Sequence, residues 1–216
     1  MGKQEVGLRE EIIATCLTMN AIGINQGTSG NVSVRWKDGL LITPSGVPFE
    51  QLKPDGIVYM GLDGQFAKDK IPSSEWRFHL DIYRHREDVG AVVHTHSMYA
   101  TAIAIKGLEI PAVHYMIAAA GGPNIRCAPY ATYGTQALSD NALKALEDRT
   151  ACLLANHGVI ATGPNLYKAL WLAKEVETLA QQYCLSLQLG GPQLLSDAEI
   201  ARVAERFKTY GARPRS

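Results

Sequence analysis

Two short apolar runs that end in histidine constrain this chain more than any other feature: AVVHTHS (residues 91–97) and LLANHGVI (residues 153–160). Both read as strands that close in a polar turn. Side chains alternate between the faces of a strand, so His94 and His96 share one face. His157, delivered from the end of the second strand, would complete a three-nitrogen face for a metal ion. Three protein ligands and an open position are what a catalytic zinc requires. A lone histidine at a strand end is more often structural than functional. A His-x-His pair joined by a distant Asn-His-Gly reverses that balance.

The rest of the chain reads as a mixture of helices and strands. Leu8, Ile12, Cys16 and Met19 recur at helical spacing over residues 8 to 22. VSVRW and LLITP flank Lys37-Asp38-Gly39 as a hairpin, and IVYM is a further short strand before Leu62-Asp63-Gly64. Pro72-Ser73-Ser74 opens a helix to about His85, with a serine as N-cap. A strand over 90–96 and a helix over 97–105 follow. Then come a strand over 125–128, a helix over 135–147, and two strands around the His157-Gly158 turn. Helices over 165–189 and 196–209 complete the chain. Hairpins and crossovers are mixed irregularly, which favours one α/β domain, residues 1–216, with a mostly antiparallel central sheet covered by helices.

Glu75, two residues after Ser73, falls in the first turn of its helix. A carboxylate there ligates the metal, shuttles a proton beside it, or is a surface residue favoured by the positive helix end. Ser73 and Ser74 add hydroxyls and unpaired backbone N–H groups at the same helix start, a ready anion site. Two more loops are rich in such donors: Gln26-Gly27-Thr28-Ser29-Gly30-Asn31 and Thr43-Pro44-Ser45-Gly46. Each alone is an ordinary turn. Together, beside a candidate metal site, they point to a phosphomonoester held by neutral donors.

The charge balance agrees. With 21 basic and 21 acidic side chains the formal net charge is zero, which removes the electrostatic case for nucleic acid or an anionic membrane. Cys16, Cys127, Cys152 and Cys184 are scattered, without a Cys-x-x-Cys pair, which points to a reducing compartment. The N-terminal run lacks a signal-peptide core and no segment suits a bilayer span, so the expected location is the cytoplasm. Tyr115 and Tyr210 are candidate phenolic proton donors, each more often a core or interface residue. His79, His85 and His114 have no evident partner and read as helix-face or surface residues.

The runs QGTSGNVSVR, LITPSGVPFE, IPSSEWRFH, AVVHTHS, IPAVHYMIAAAGG, APYATYGT, NHGVIA and KALWLAKEVE together resemble the class II, metal-dependent aldolases of the aldolase/adducin superfamily. The resemblance covers nearly the whole chain. It implies a homotetramer with fourfold symmetry and active sites between subunits. It also implies zinc-dependent, reversible retro-aldol cleavage of a ketose 1-phosphate, such as L-fuculose 1-phosphate or a related deoxy sugar phosphate. The products would be dihydroxyacetone phosphate and a small aldehyde such as L-lactaldehyde. By motif, one Zn²⁺ per subunit falls to His94, His96, His157 and Glu75, and Glu75 doubles as the proton carrier. Phosphate binding falls to Thr28, Gly30, Asn31, Ser45, Gly46, Ser73 and Ser74. Tyr115 matches a catalytic tyrosine and Tyr210 a C-terminal one, both reaching a neighbouring subunit. Tyr133 stands where members acting on fuculose phosphate carry an aromatic ring without a hydroxyl. Tyr133, Tyr210 and Met98 are therefore candidates for the aldehyde side. Within the superfamily a pentulose-phosphate 4-epimerase and a methylthioribulose-phosphate dehydratase remain alternatives. A non-enzymatic adducin-like interaction domain is the rival of another class.

Overall fold

A computed structural model describes residues 2–209. Its centre is a seven-stranded sheet in the order β3-β2-β1-β4-β7-β6-β5. The strands are β1 (Asn31–Trp36), β2 (Gly39–Ile42), β3 (Val58–Gly61), β4 (Ala91–Thr95), β5 (Cys127–Ala128), β6 (Ala151–Leu154) and β7 (Gly158–Gly163). Every pairing is antiparallel except β5 with β6. The expected mixed, mostly antiparallel sheet is therefore what forms.

The period of two along each strand divides the core into two layers. Val32, Val34, Val93, Val159 and Ala161 face one apolar cluster, with Ile12 and Met19 of α1 (Lys3–Ala21), Ile103 of α3 (Met98–Ile105) and Val176 of α5 (Leu166–Gln188). The same layer takes in Ile200 of α6 (Asp197–Phe207). Leu40, Ile42, Val92, Leu154 and Ile160 face the other, with Phe78 and Ile82 of α2 (Trp76–His85) and Ala142 of α4 (Gln136–Ala145). Helices thus cover both faces. All five residues of β4 are buried, as a central strand between two helical layers must be. Parity places Asn31, Ser33, Val92 and His94 on the α2 side.

Three details depart from the sequence reading. Helix α2 begins at Trp76, and its N-cap is Glu75 rather than a serine, with no side-chain cap. The preceding segment is held extended: Ser73 N–H donates to Thr43 C=O at 2.9 Å, and Pro72 bridges Pro44. Sheet pairing thereby postpones the helix by one turn. Ser73 Oγ instead accepts from Glu75 N–H at 3.3 Å. Residues Tyr115–Ala120 form a 3₁₀ helix, and His114 Nδ1 accepts from Met116 N–H at its start. His79, expected on a helix face or at the surface, is wholly buried.

Among the described residues no helix is long and apolar enough to cross a membrane. The four cysteines carry free thiols, and burial pushes the Cys16 thiol up to about 12.

Candidate metal centre

His94 is the sheet's contribution. It ends the apolar run of β4, pairs with Asn31 of β1 on one side and with Ile160 of β7 on the other, and is fully buried. Its Nδ1 donates to Val159 C=O at 2.8 Å. That bond fixes the tautomer and leaves a bare lone pair on Nε2. His96 follows just past the strand end, on the same side. His157 comes from the tight link between β6 and β7. Asn156 takes φ +55° there, a left-handed conformation that asparagine tolerates. Gly158 comes next because a Cβ at that position would lie 2.3 Å from Thr95 O and 2.9 Å from His96 Cδ2. The Asn-His-Gly run is thus the sequence that lets β7 close against the His96 turn.

The three rings stand nearly perpendicular to one another, with centroids 4.9 to 5.0 Å apart. His94 Nε2 lies 3.0 Å from His96 Nε2 and 3.1 Å from Glu75 Oε2. His157 Nε2 lies 3.0 Å from Glu75 Oε1, yet that oxygen is buried without a hydrogen bond of acceptable geometry. One ligand atom from each of Glu75, His94, His96 and His157 falls within 4.8 Å of the others. Lone pairs and an anion crowded this closely repel unless positive charge sits among them. The donor set, three imidazoles and a carboxylate, fits a divalent cation of zinc's type.

The electrostatics point the same way. Burial pushes the Glu75 carboxyl up, but the nearby His94 and the close ring nitrogens of His157 and His94 outweigh it. The group is held far below the usual carboxylate range. Burial, then the neighbouring His94 and His157, push His96 down to about 4, which keeps it neutral and able to ligate.

A cavity of about 410 Å³ opens beside this group. Thr28, Ser45, Gly46 and Ser74 line it with Glu75, His96 and His157. The three donor-rich loops thus meet at one wall. Gly30, Asn31 and Ser73 are buried and do not line it. The side-chain amide of Asn31 is engaged elsewhere: Nδ2 donates to Glu75 Oε2 at 2.9 Å and Oδ1 lies 2.5 Å from His79 Nε2. Tyr133 reaches the wall, and so do Tyr130 and Asn156, which the sequence did not single out. The repeated aromatic in Tyr130-Ala-Thr-Tyr133 was the available signal. Gly134, at φ +73°, brings this loop in; a Cβ there would lie 2.6 Å from Ser74 O. Met98 is exposed at the start of α3, and Tyr115 is half exposed; neither lines the cavity. Tyr210 lies outside the described residues.

Comparison with known proteins agrees with this geometry. Residues 10–184 match the sequence profile described as Class II Aldolase and Adducin N-terminal domain. The chain is 56% identical over 207 residues to the L-fuculose phosphate aldolase of Escherichia coli K12, covering 95% of this chain and 96% of that protein. It is 52% identical over 211 residues to the 5-methylthioribulose-1-phosphate/5-deoxyribulose-1-phosphate aldolase of Rhodospirillum rubrum, covering 98% and 96%. A solved L-fuculose 1-phosphate aldolase superposes with TM-score 0.91 at 43% identity, covering 94% of this chain and 96% of that one.

Proposed function

The chain belongs to the class II aldolase and adducin family, and from that premise we propose that it splits a ketose 1-phosphate reversibly into dihydroxyacetone phosphate and a small aldehyde, with Zn²⁺ as cofactor. The observation that carries this reading is the Glu75, His94, His96 and His157 cluster on the wall of a hydroxyl-lined cavity.

Those four residues would hold the ion, which when bound supplies Lewis-acid polarisation of the substrate's carbonyl and neighbouring hydroxyl oxygens. The remaining work falls to the chain. Thr28, Ser45, Gly46 and Ser74 bind the phosphate through hydroxyl and backbone donors, and Gly30, Asn31 and Ser73 shape those loops from beneath. Binding energy from this remote group orients the bond to be broken. Glu75 delivers a proton to the carbon left electron-rich by cleavage and removes it in the reverse direction. Tyr115, from a neighbouring copy in a homotetramer, takes the C4 hydroxyl proton during cleavage and returns it in condensation. Tyr133, on the cavity wall, borders the aldehyde side; Met98 and Tyr210 are assigned to that side by the family resemblance alone.

Kinetics on a panel of ketose 1-phosphates with zinc present test the reading. L-fuculose, L-rhamnulose, 5-deoxyribulose and 5-methylthioribulose 1-phosphates form the panel. Net release of dihydroxyacetone phosphate from at least one is expected. Inversion at C4 without release, or loss of water with the carbon chain intact, would replace the aldolase with an epimerase or a dehydratase. A deoxy or methylthio pentulose phosphate is the favoured second substrate, because Tyr130 and Tyr133 present aromatic surface to the cavity.

Tyr115→Phe should lower kcat by about 10²-fold with little change in inorganic-phosphate binding. Mixed with Glu75→Gln subunits, it should regain part of the lost activity, because hybrid oligomers contain sites with both native residues. Activity that stays at the sum of the two parents would contradict the shared site.

A further inference from the structure

A buried chain of polar side chains leads away from Glu75, and it comes from two sequence periods that meet. Asn31, Ser33 and Arg35 alternate along one face of β1. Glu75, His79 and Tyr83 recur every four residues, at the N-cap and along one side of α2. Ser33 Oγ lies 2.7 Å from His79 Nδ1 and 2.8 Å from Tyr83 Oη. His79 Nε2 lies 2.5 Å from Asn31 Oδ1, and Asn31 Nδ2 lies 2.9 Å from Glu75 Oε2. Ser33 and His79 are wholly buried, Tyr83 is 1% exposed and Asn31 4%. Arg35 closes the far end, its guanidinium 4.9 Å over the Tyr83 ring and bonded to the Tyr83, Arg86 and Val89 carbonyls.

The direction of every proton follows from one end. An ionised carboxylate only accepts, so Asn31 turns its N–H to Glu75 and its oxygen to His79. His79 must then donate from Nε2, which leaves Nδ1 to accept. Ser33 therefore donates to His79 and must itself accept from Tyr83. We propose that this one-way chain, Tyr83 to Ser33 to His79 to Asn31, is a positioning relay that locks the Asn31 amide and so aims the Glu75 carboxylate. None of the four lines the cavity, so each acts through Glu75. Burial, then the nearby His94, push His79 down to about 3, in keeping with the neutral ring that the geometry requires. The relay explains why Asn31 and Ser33 occupy the α2 side of the sheet where apolar side chains would pack: a buried polar group is tolerated when fully bonded.

The inference rests on the reading of Glu75 as proton carrier, and two measurements separate them. In the metal-free protein, long-range ¹⁵N–¹H correlations should show His79 as the neutral Nε2–H tautomer, its proton protected from exchange. An Nδ1–H tautomer or a charged ring overturns the relay. In the zinc-loaded enzyme His79→Leu, which fills similar space, frees the Asn31 amide to turn. It should lose about tenfold or more in kcat with unchanged KM and metal content. His79→Gln, whose amide can accept from Ser33 and donate to Asn31, should recover to within about threefold of the unmutated enzyme. The relay is overturned if His79→Leu keeps its kcat, or if both variants fall equally together with melting temperature or metal content. Failure of the unmutated protein to split any ketose 1-phosphate sinks the functional reading, and the tautomer still decides the relay.

Discussion

His94→Ala should reduce divalent-metal content to near zero and lower kcat/KM on the order of a thousandfold or more. His94 alone among the three imidazoles is wholly buried and braced by the sheet, through Nδ1 to Val159 C=O at 2.8 Å. Alanine removes both the ligand and that donor. It leaves a buried carbonyl unpaired, at a cost of about 1–3 kcal/mol, and a void next to Phe78, whose ring lies 5.4 Å away. Metal analysis per subunit and thermal melting with and without added zinc check this. Zinc should raise the melting temperature of the unmutated protein, since a ligand that binds only the folded state stabilises it, and leave the variant unmoved. A variant that retains one ion per subunit would remove His94 from the ligand set.

Glu75→Gln should behave differently. The amide keeps the size of the carboxylate, and the three imidazoles remain to hold the ion, so metal content should stay close to normal. Turnover should fall about 10²- to 10⁴-fold, the range for loss of a positioned acid–base group. A direct reading is exchange of the carbon-bound proton of dihydroxyacetone phosphate with deuterated water, which needs no aldehyde. The unmutated enzyme should catalyse it and the variant should not. Near-normal exchange in the variant would assign that proton to another group. The two substitutions thus split metal retention from proton transfer at residues whose atoms lie 3.1 Å apart.

Much of this architecture is visible along the chain. The strands announce themselves by alternation, and Thr135, Asn165 and Ser196 cap their helices as such residues should, each accepting a backbone N–H. The candidate metal ligands were legible because His-x-His needs only a strand's period of two, and Asn-His-Gly needs only a turn. Glu75 was legible as a residue and misread in position, since nothing local says that Ser73 is tied to Thr43 across 30 positions. His79 was placed on a helix face but not recognised as buried or bonded. Its flanking Phe78 and Leu80 are apolar, but its partner Ser33 lies 46 residues away, where no local pattern points to it.

Local order in the residues was enough to specify which segments are strands and helices, which of their faces are apolar, and which side chains could ligate a cation. Those properties depend on neighbours two to four positions apart, where backbone geometry leaves few choices. The convergence of β1, β4, the β6–β7 turn and the start of α2 on one point came from packing. So did the choice of Asn31 to bond Glu75 rather than line the cavity, and the burial of His79. Each depends on how distant elements share space and satisfy one another's polar groups, and no short stretch of sequence contains both halves of such a contact.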